Sequence, residues 1–477
     1  MRYRTLALFT SLALLLASSA AAQTSSPDDV GRWDLPETPA GRRVRPLLKV
    51  IGGGDEAAIR QFLGEHVAPS FRDAFPVEQH VGQFRRMQRL FAGMQLAGVD
   101  APDPNSIELV LKAGDGKAYK LSVEVEAGVP QRIASIGFAP AEAPAGPRFS
   151  SYGELDEALR RMAEGGRFSG VVLVTRGDTP VFRKAYGLAD RASRLANHED
   201  TMFDIGSINK DFTAVAVARL AQEGRLNLDD SMGKYLKGLP PEIGDKVTIR
   251  HLLQHRSGMG DYMTHPSHRG DRKRFRTVSD YMEIIRNTPL KFEPGTSQAY
   301  SNTGYVALGA VIEAVTNRSY YDVIQDLMYR PAGMKSSGSF DRTQGGRNMA
   351  IGYTRRSPQG GGGSGPVTLT PNTHLFSPTG SPAGGGFSTA ADLKRFADAL
   401  FGNRLLDRRH TTLFLNRFDP QKGDLPKMWG SAGGSEGVNA VVLVDAQTNH
   451  TVIVLANLDE PVAEEVGRSI VEQLRKG

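Results

Sequence analysis

A serine and a lysine three residues apart are the first candidates for chemistry in this chain. In "DIGSINKDF", Ser207 precedes Lys210 by three positions, so in a helix the two side chains share a face and the amine can reach the hydroxyl. The residues that follow, "FTAVAVARLAQEGRL", are apolar nearly all round and predict a buried helix. At the start of such a helix, free N–H groups and the dipole favour developing negative charge, while burial disfavours a protonated lysine. The spacing therefore predicts a nucleophile and its base.

A second motif, later in the chain, supplies a tyrosine and an amide. Of the thirteen tyrosines only Tyr300 begins a Y-x-N sequence, in "FEPGTSQAYSNTGYVALG". A tyrosine in a loop before a helix can relay a proton to a leaving group, and Asn302 can orient the substrate or the lysine through its amide. Each motif alone has an ordinary alternative, an N-cap for Ser207 and a turn for Tyr300. Together they indicate acyl transfer.

Two other serines match catalytic motifs but lack the setting. The S-x-x-K spacing recurs at Ser231 and Lys234, there among acidic residues and with no buried helix after it, which indicates a solvated lysine. The sequence "GGSEG" matches the nucleophile elbow G-x-S-x-G, which needs a strand before it and a helix after it. No strand-like run precedes Ser435 and a hairpin follows, so Ser435 is not predicted to be a nucleophile.

Metal binding and nucleic-acid binding find little support. His265 and His268 lie near Asp261 and Asp271 in a polar loop, but there is no H-E-x-x-H motif and no cysteine, so we predict no metal site and no cofactor. The formal net charge is +6, and the one dense basic stretch is "HRGDRKRFR", residues 268–276. It could attract an anionic substrate or a cell-wall polymer, with a solvated loop as the alternative. One aromatic residue within it does not indicate nucleic-acid binding.

The segments that must position these motifs indicate an antiparallel sheet with a helical insertion. The stretch "FSGVVLVTRGDTPVFRKAYG" predicts one hairpin, and "NAVVLVDAQTNHTVIVLAN" predicts a second near the end of the chain. A terminal helix, "EPVAEEVGRSIVEQLRK", follows the second hairpin. Hairpins from both ends suggest one sheet closed by the two termini, with residues 209–415 as a largely helical insertion.

Residues 47–140 predict a separate small α+β domain. Two stretches have helical apolar spacing, "GDEAAIRQFLGEHVAPSF" and "VEQHVGQFRRMQRLFAGMQL". Three alternating stretches follow as predicted strands, "SIELVLKA", "KAYKLSVEVE" and "QRIASIGFA". The pattern resembles the cone-shaped nuclear-transport-factor-like fold, and without a catalytic constellation it suggests an accessory or binding role. Residues 141–150, rich in Pro and Ala, are the predicted linker to a second domain at 151–477.

The chain begins with the pattern of a secretory signal. The N-terminus "MRYRTLALFTSLALLLASSAAAQ" has basic residues, an apolar run too short for a membrane anchor, and small residues up to Ala22. Residues 1–22 are therefore a predicted signal peptide, and residues 23–46, rich in Pro, Ser, Gly and charge, a predicted flexible leader. With 40% apolar and 23% charged residues and no cysteine, the chain as a whole has the composition of a soluble protein without disulfides. We expect it to be periplasmic or secreted in a bacterium, with no membrane contact after cleavage.

Five sequence blocks, in order, resemble the serine β-lactamase and penicillin-binding-protein superfamily, particularly class C β-lactamases and their esterase and D-peptidase relatives. The blocks are "GVVLVTRGDTPVFRKAYGLAD", "FDIGSINKDFTAVAV", "VTIRHLLQHRSGM", "FEPGTSQAYSNTGY" and "AGGGFSTAADLKRF". The resemblance runs from about Tyr152 to the C-terminus. It implies that Ser207 is the acylated nucleophile, Lys210 its activating partner, Tyr300 the proton shuttle or general base, and Asn302 the residue that holds the substrate amide.

The remaining blocks are interpreted as scaffold. These are His251–Met259 and Gly384–Phe396, and within the first we interpret His251 and His255 as packing residues rather than ligands.

The third family motif departs from its usual form. The resemblance leads us to expect Lys-Thr-Gly or His-x-Gly on the strand that edges the active site, and "WGSAGGSEGVNAVVLV" places Ser431 to Gly433 there. The N–H groups of Gly434 and Ser207 would form the oxyanion hole. The cation that helps to bind a substrate carboxylate is missing, although Ser431 can still donate a hydrogen bond. A register with Trp429-Gly430 at this position is the alternative, since some esterase relatives carry Trp-Gly-Gly.

The predicted fold class is therefore α+β, a β-lactamase/transpeptidase-like domain preceded by a small α+β domain. The predicted function is an exported serine hydrolase that cleaves an ester or amide through an acyl-enzyme on Ser207, with Asn302, Ser431 and Gly433 binding a small-molecule or peptide substrate. One alternative is a D-alanyl peptidase or β-lactamase acting on cell-wall material, which would need another cation, such as an arginine of residues 268–276. The other is a non-catalytic binding protein that has lost one motif.

Overall fold

The computed structural model describes residues 35–72, 77–91, 93–112, 118–126, 128–140, 146–344, 348–355 and 369–476. The chain divides into two compact units, Met1–Ala143 and Pro144–Gly477. The predicted signal peptide, the first part of the predicted leader and half of the predicted linker lie outside the described residues.

The first unit packs helices on one antiparallel sheet. Its elements are α1 (Pro39–Gly52), α2 (Glu56–His66), α3 (Pro69–Arg72), α4 (Val77–Phe91), β1 (Gln95–Asp103), β2 (Ser106–Lys112), β3 (Ala118–Val125) and β4 (Ile133–Pro140). The strands pair in the order β1-β2-β3-β4. Alternate residues of β2 and β3, such as Leu109 and Val123, are buried against the apolar faces of α1, α2 and α4. Helices followed by a sheet match the predicted order, and the likeness to the nuclear-transport-factor-like fold stays a prediction.

The predicted flexible leader is wrong at its C-terminal end. Helix α1 begins at Pro39, capped by a hydrogen bond from the Gly41 N–H to Oγ1 of Thr38 at 3.1 Å. Proline is tolerated in the first turn of a helix, where its missing N–H is not needed. Val44 and Leu47 are buried on one face, so the apolar face decides the structure despite the Pro, Gly and Arg content.

Strand β1 is a further element that the sequence pattern missed. It contains Gly98 and two aspartates, and its pairing with β2 has register shifts between Leu96 and Gly98 and between Asp100 and Asp103. An edge strand tolerates such residues because one of its two sides makes no ladder hydrogen bonds.

The described part of the second unit contains more helices and strands than that of the first. They are α5 (Tyr152–Glu164), β5 (Gly170–Arg176), β6 (Thr179–Tyr186), β7 (Leu188–Asp190), β8 (Leu195–Ala196), β9 (Phe203–Asp204), α6 (Asn209–Gln222), α7 (Pro241–Gly244), α8 (Ile249–Leu253), α9 (Pro266–Gly270), α10 (Met282–Asn287), α11 (Asn302–Thr316), α12 (Tyr320–Ile324), α13 (Arg330–Ala332), β10 (Tyr353–Thr354), β11 (Thr370–Pro371), β12 (Phe387–Ser388), α14 (Ala390–Phe401), α15 (Arg408–Leu415), β13 (Met428–Ser435), β14 (Val438–Asp445), β15 (His450–Ala456) and α16 (Val462–Leu474). A π-helical stretch, Gln325–Tyr329, joins α12 to α13.

The central sheet of this unit is built from both ends of the unit, as predicted. Its five strands run in the order β13-β14-β15-β5-β6, and β15 pairs antiparallel with β5, which joins the two predicted hairpins. Helix α16 packs on β14 and β15. The region between β6 and β13 is largely helical, and α6 lies at its centre with Phe212 and Val215 fully buried.

The end of the linker and the structure of the segment before Ser435 both differ from what the local sequence pattern predicts. The linker was expected to extend to residue 150, but Pro147 is buried and its carbonyl accepts a hydrogen bond from Ser469 Oγ of α16 at 2.5 Å. The local pattern indicates no strand before Ser435, whereas the resemblance places Ser431 to Gly433 on one, and β13 does run through this segment. Glycine-rich β13 escapes a propensity-based prediction because its pairing with β14 supplies the stability that its side chains do not.

In the described part of the chain, no helix is long and apolar enough to cross a membrane. Nor do three or more His, Cys, Asp or Glu side chains come together as a metal site among the described residues.

Candidate active site

Ser207 lies in a 3₁₀ turn, Gly206–Ile208, that leads directly into helix α6. Gly206 has a φ of 51°, a left-handed conformation that favours glycine, and its N–H donates to Oδ1 of Asp204 at 2.9 Å. Ser207 lines a cavity of about 370 Å³. The hydroxyl therefore stands at the N-terminal end of a buried helix, as the sequence predicts.

Lys210 is held by three oxygen atoms. It is 5% exposed, and its Nζ donates to Ser207 Oγ at 3.0 Å, to Asn302 Oδ1 at 2.7 Å and to the carbonyl of Ala383. Burial lowers its pKa to about 7, although two nearby carboxylates act in the opposite direction. A neutral amine has two N–H groups, which the Asn302 and Ala383 oxygens can accept, so its lone pair would face the Ser207 hydroxyl. Lys210 is therefore placed to take that proton.

Tyr300 hydrogen-bonds the same hydroxyl. Its OH lies 2.6 Å from Ser207 Oγ, and Lys210 Nζ lies 4.7 Å from the centre of its ring. Desolvation raises the pKa of Tyr300 to about 12. The phenol therefore keeps its proton at neutral pH, where Lys210 can lose one. Of the two predicted roles, that of proton shuttle fits this order of pKa values better than that of a free-standing base.

Asn302, the first residue of α11, connects Lys210 to a carboxylate that the sequence did not indicate. Its Oδ1 accepts from Lys210, and its Nδ2 donates to Oδ2 of Asp261 at 2.6 Å. Asp261 had appeared only as a neighbour of possible metal ligands, and its separation of 41 residues from Asn302 follows no pattern. In this structure Asn302 orients the lysine, and its contact with a substrate amide stays a prediction.

Strand β13 brings two glycines against the nucleophile turn. A β-carbon on Gly433 would overlap the carbonyl oxygen of Ile205 and lie 2.7 Å from the Ser207 nitrogen. One on Gly206 would lie 3.1 Å from the nitrogen of Gly434. Ser207 and Gly434 both line the cavity, so the predicted oxyanion donors come together by an approach that only glycine backbones permit.

Ser431 is directed elsewhere than predicted. Ala432 and Gly433 line the cavity, but Ser431 is not among the described residues that do so. Ser431 lies close enough to the carboxylate of Asp211 to lower its pKa, against the larger effect of burial, which raises that pKa to about 6. Among the described residues Ser431 thus lies near a buried carboxylate and not on the cavity wall, which counts against its assignment to substrate binding.

No free positive charge on the described cavity wall replaces the missing cation of the third motif. Among the described residues that line the cavity, Arg342 is the one lysine or arginine. Its NH1 lies 2.9 Å from Oδ2 of Asp204. These side chains are 6% and 10% exposed, so this pair is neutralised within the protein. Glu460 and Glu464, near the start of α16, line the same cavity.

The basic stretch at residues 268–276 does not supply that cation. Its arginines are absent from the described lining residues. Arg274 pairs with Glu283 at 2.8 Å and Arg276 with Asp341 at 2.8 Å, both largely exposed to solvent on the arginine side. His268 does line the cavity, but burial lowers its pKa to about 4 and leaves it neutral at ordinary pH.

The other residues singled out in the sequence fall outside the catalytic contacts. His251 caps α8, with Nδ1 accepting from the Thr248 N–H at 3.3 Å. Lys234 pairs with Asp230 at 2.8 Å on the surface. Ser435 ends β13 and a turn to β14 follows, so no helix completes a nucleophile elbow there.

The blocks interpreted as scaffold make two direct contacts with the site. The carbonyl of Ala383, immediately before Gly384–Phe396, accepts from Lys210. His255 does pack as predicted, with its ring centre 4.6 Å from that of Tyr300.

Comparison with known proteins identifies the family of the second unit. The family model described as Beta-lactamase matches residues 155–475. Penicillin-binding protein 4* of Bacillus subtilis (strain 168) is 32% identical over 190 residues, which are 39% of this chain and 42% of that protein. Protein flp of Staphylococcus aureus (strain MW2) is 25% identical over 327 residues, 65% of this chain and 64% of that protein. The matches thus span less than two thirds of either relative.

Solved structures confirm the predicted fold class. A penicillin-binding protein from Bacillus halodurans has a TM-score of 0.57 at 27% identity, over 66% of this chain and 98% of that one. The D-amino acid amidase from Ochrobactrum anthropi SV3 has the same fold, with a TM-score of 0.55 at 23% identity over 68% of this chain and 99% of that one. With the family model matched across nearly the whole second unit, the chain belongs to the β-lactamase family.

Proposed function

We propose that this protein is an exported serine hydrolase that cleaves an ester or an amide through an acyl-enzyme on Ser207. The observation that carries the proposal is the position of Ser207 Oγ, 3.0 Å from Lys210 Nζ and 2.6 Å from Tyr300 OH, at a cavity. A nucleophile, a buried base with a pKa of about 7 and a protonated phenol are the parts that acyl transfer needs.

Acylation begins at the lone pair of neutral Lys210. It takes the Ser207 proton as Oγ forms a bond to the substrate carbonyl carbon, whose π electrons move to the oxygen. The N–H groups of Ser207 and Gly434 donate to that oxyanion. As the intermediate collapses, the bond to the alcohol or amine breaks, and the proton held by Lys210 reaches the leaving group with the Tyr300 hydroxyl as relay.

Deacylation uses the same groups in the reverse order. Water takes the place of the departed alcohol or amine, and its proton passes through Tyr300 to Lys210 as its oxygen bonds to the acyl carbon. The second tetrahedral intermediate then breaks at Ser207 Oγ, which recovers its proton from the lysine. An acid and the free enzyme result.

The substrate proposed is one without a carboxylate beside the scissile bond. Among the described lining residues the Arg342 charge is neutralised by Asp204, and the third motif supplies no cation. A substrate carboxylate would approach the carboxyl group of Glu464 on the wall instead, and like charges in a cavity repel.

A second candidate function is that of a D-alanyl peptidase or β-lactamase acting on cell-wall peptides or β-lactams. The relatives named as penicillin-binding proteins favour it. The third candidate, a binding protein without activity, is favoured by the absent third-motif cation alone. For export, the support is the signal pattern of residues 1–22, and we propose a periplasmic or secreted location on that basis.

Intact-mass labelling with a fluorophosphonate tests the proposal. The mature protein should gain one adduct, and Ser207→Ala should gain none while keeping its thermal unfolding transition. Ser231→Ala is the matched control, because it removes the serine of the second S-x-x-K motif and should label like the parent protein. No adduct on folded protein would move the assignment to the binding protein.

Substrate panels separate the two enzymatic candidates. Turnover of p-nitrophenyl esters or amides with no covalent labelling by a fluorescent penicillin supports the carboxylate-free substrate. Rapid labelling by the penicillin, lost in Ser207→Ala, supports the peptidase or β-lactamase.

A further inference from the structure

Tyr300 is unusually exposed for a residue whose hydroxyl must stay within proton-transfer distance of Ser207 Oγ. The residue as a whole is 55% exposed, while protein atoms around it desolvate the phenol enough to raise its pKa, and its hydroxyl lies 2.6 Å from Ser207 Oγ. Exposed side chains change rotamer within nanoseconds, and a displacement of about 1 Å at a reacting group can cost about a hundredfold in rate. The ring therefore needs support from the protein side.

His255 contacts three consecutive residues at that point of the chain. Its carbonyl oxygen accepts from the Ala299 N–H at 2.9 Å, and its Nδ1 accepts from the Ser301 N–H at 3.2 Å. Its ring lies against that of Tyr300, with the centres 4.6 Å apart and the planes at 31°. The imidazole also packs against the ring of Tyr305, with the two ring centres 5.1 Å apart.

The backbone of His255 adopts a conformation that residues other than glycine seldom take. Its φ is 57°, in the left-handed region just after helix α8. Glycine would adopt this conformation without strain. Histidine is among the non-glycine residues enriched in this region, so the backbone can hold the imidazole there at little cost.

The hydrogen bond to Ser301 fixes the tautomer of His255. Because Nδ1 accepts from a backbone N–H, the neutral ring carries its proton on Nε2. Burial lowers the pKa of His255 to about 4, and the positive charges of Lys210 and Arg417 act in the same direction. The ring thus remains a neutral acceptor at the pH where Lys210 loses its proton. Ser301 is 1% exposed, so this acceptor satisfies a donor in the protein interior.

We propose that His255 is a positioning residue that holds the Tyr300 hydroxyl on Ser207. It accepts hydrogen bonds from the N–H groups of Ala299 and Ser301, through its carbonyl oxygen and its Nδ1, and it supports the exposed ring by a tilted ring-to-ring contact. It is not among the described residues that line the cavity, so it acts through Tyr300 and not on the substrate. The inference rests on the proposed role of Tyr300 in acyl transfer.

Two substitutions separate the contacts of His255. His255→Phe keeps an aromatic ring and removes the acceptor, whereas His255→Asn suits the left-handed backbone and removes the ring. Each should slow labelling by the fluorophosphonate by about ten- to a hundredfold, with the KM for an ester little changed. His251→Asn is the matched control, since His251 caps the same helix and should leave both quantities unchanged. Parent-like rates in both folded His255 variants would overturn the proposal.

A double-mutant cycle shows whether the effect passes through Tyr300. In the Tyr300→Phe background there is no hydroxyl to position, so adding His255→Phe should change the remaining rate less than twofold. An equal loss in both backgrounds would mean that His255 acts elsewhere, and would overturn the inference.

Nitrogen NMR of the unsubstituted protein tests the contact without any activity. In protein labelled with ¹⁵N-histidine, the His255 signals, identified by their loss in His255→Asn or in His255→Phe, should show an unprotonated Nδ1 and a protonated Nε2. A proton on Nδ1 contradicts the hydrogen bond to Ser301 and sinks the proposal. If the parent protein takes no fluorophosphonate, the proposed function fails, while this spectrum still decides whether His255 holds the Tyr300 segment.

Discussion

Asp261 accepts a hydrogen bond from Asn302 Nδ2 at 2.6 Å, and that bond turns Oδ1 of the same amide toward Lys210. An asparagine side chain has a donor end and an acceptor end, and a lysine can donate only to the acceptor. Asp261 also raises the pKa of Lys210 through its charge, against the larger effect of burial. One carboxylate therefore sets both the orientation and the basicity of the catalytic amine.

Replacing Asp261 should move the pH dependence of acylation. In Asp261→Asn the charge is removed while the size is kept, so the pKa of Lys210 falls further and the rise in fluorophosphonate labelling shifts to lower pH. Asp261→Ala should shift it in the same direction and also slow labelling by about ten- to a hundredfold, because Asn302 loses its anchor. A profile identical to that of the parent protein in both variants would show that Asp261 does not act on Lys210.

The rate of fluorophosphonate labelling should depend on the protonation state of Lys210. The neutral amine is the competent form, and its fraction grows as the pH rises through the pKa of about 7, so labelling should increase through neutrality and then level off. Lys210→Arg keeps the charge permanently and should lose this rise, with a rate about 10²- to 10⁴-fold lower. Lys234→Arg, in the exposed second motif, serves as control and should retain the parent profile.

Local patterns were enough to predict the three residues that meet at the candidate site. Ser207 and Lys210 are three residues apart, in the 3₁₀ turn and in the first turn of α6, and Tyr300 lies two residues before α11, so short-range spacing carries the information. Asp261 and His255 could not be found in this way. Their hydrogen bonds join residues 41 and 46 positions apart, and such pairings depend on how α8 and the loop after it pack.

Some elements of the fold were likewise predictable from local sequence patterns and others were not. Both hairpins and helix α6 were predicted, because alternating or continuous apolar runs reflect burial directly. Local patterns missed helix α1 and strand β13 for opposite reasons, and the family resemblance alone placed Ser431 to Gly433 on a strand. In α1, arginine and proline obscure an apolar face, while in β13 the glycines that allow close approach to Ser207 also remove every strand signal.

The electrostatic interaction between Ser431 and the Asp211 carboxylate leads to a prediction about restoring the missing cation. A lysine introduced by Ser431→Lys would meet the carboxylate of Asp211, so its charge would be neutralised and labelling by a fluorescent penicillin should not improve. In Ser431→Lys combined with Asp211→Asn the new cation is unpaired, and penicillin labelling should rise by about tenfold or more, as expected for a charged hydrogen bond.

Ser431→Met combined with Asp211→Asn is the matched control for that experiment, because it has similar bulk at position 431 without the charge. If the lysine and methionine double variants label alike, the third-motif position does not recognise the penicillin carboxylate, and the substrate preference must arise elsewhere in the cavity.

The last prediction concerns the approach of β13 to the nucleophile. In Gly433→Ala the new β-carbon would overlap the Ile205 carbonyl and stand 2.7 Å from the Ser207 nitrogen, so the strand must move away and widen the oxyanion hole. Labelling should fall by about 10²- to 10³-fold, the loss expected when one oxyanion donor is misplaced. In Gly430→Ala, on the same strand, the β-carbon would lie 2.9 Å from Cδ2 of Leu443, a side-chain end that can move aside. That variant should label at nearly the parent rate. Since both place a methyl group on β13, equal losses in the two would show that the strand as a whole, and not its contact with Ser207, limits the reaction.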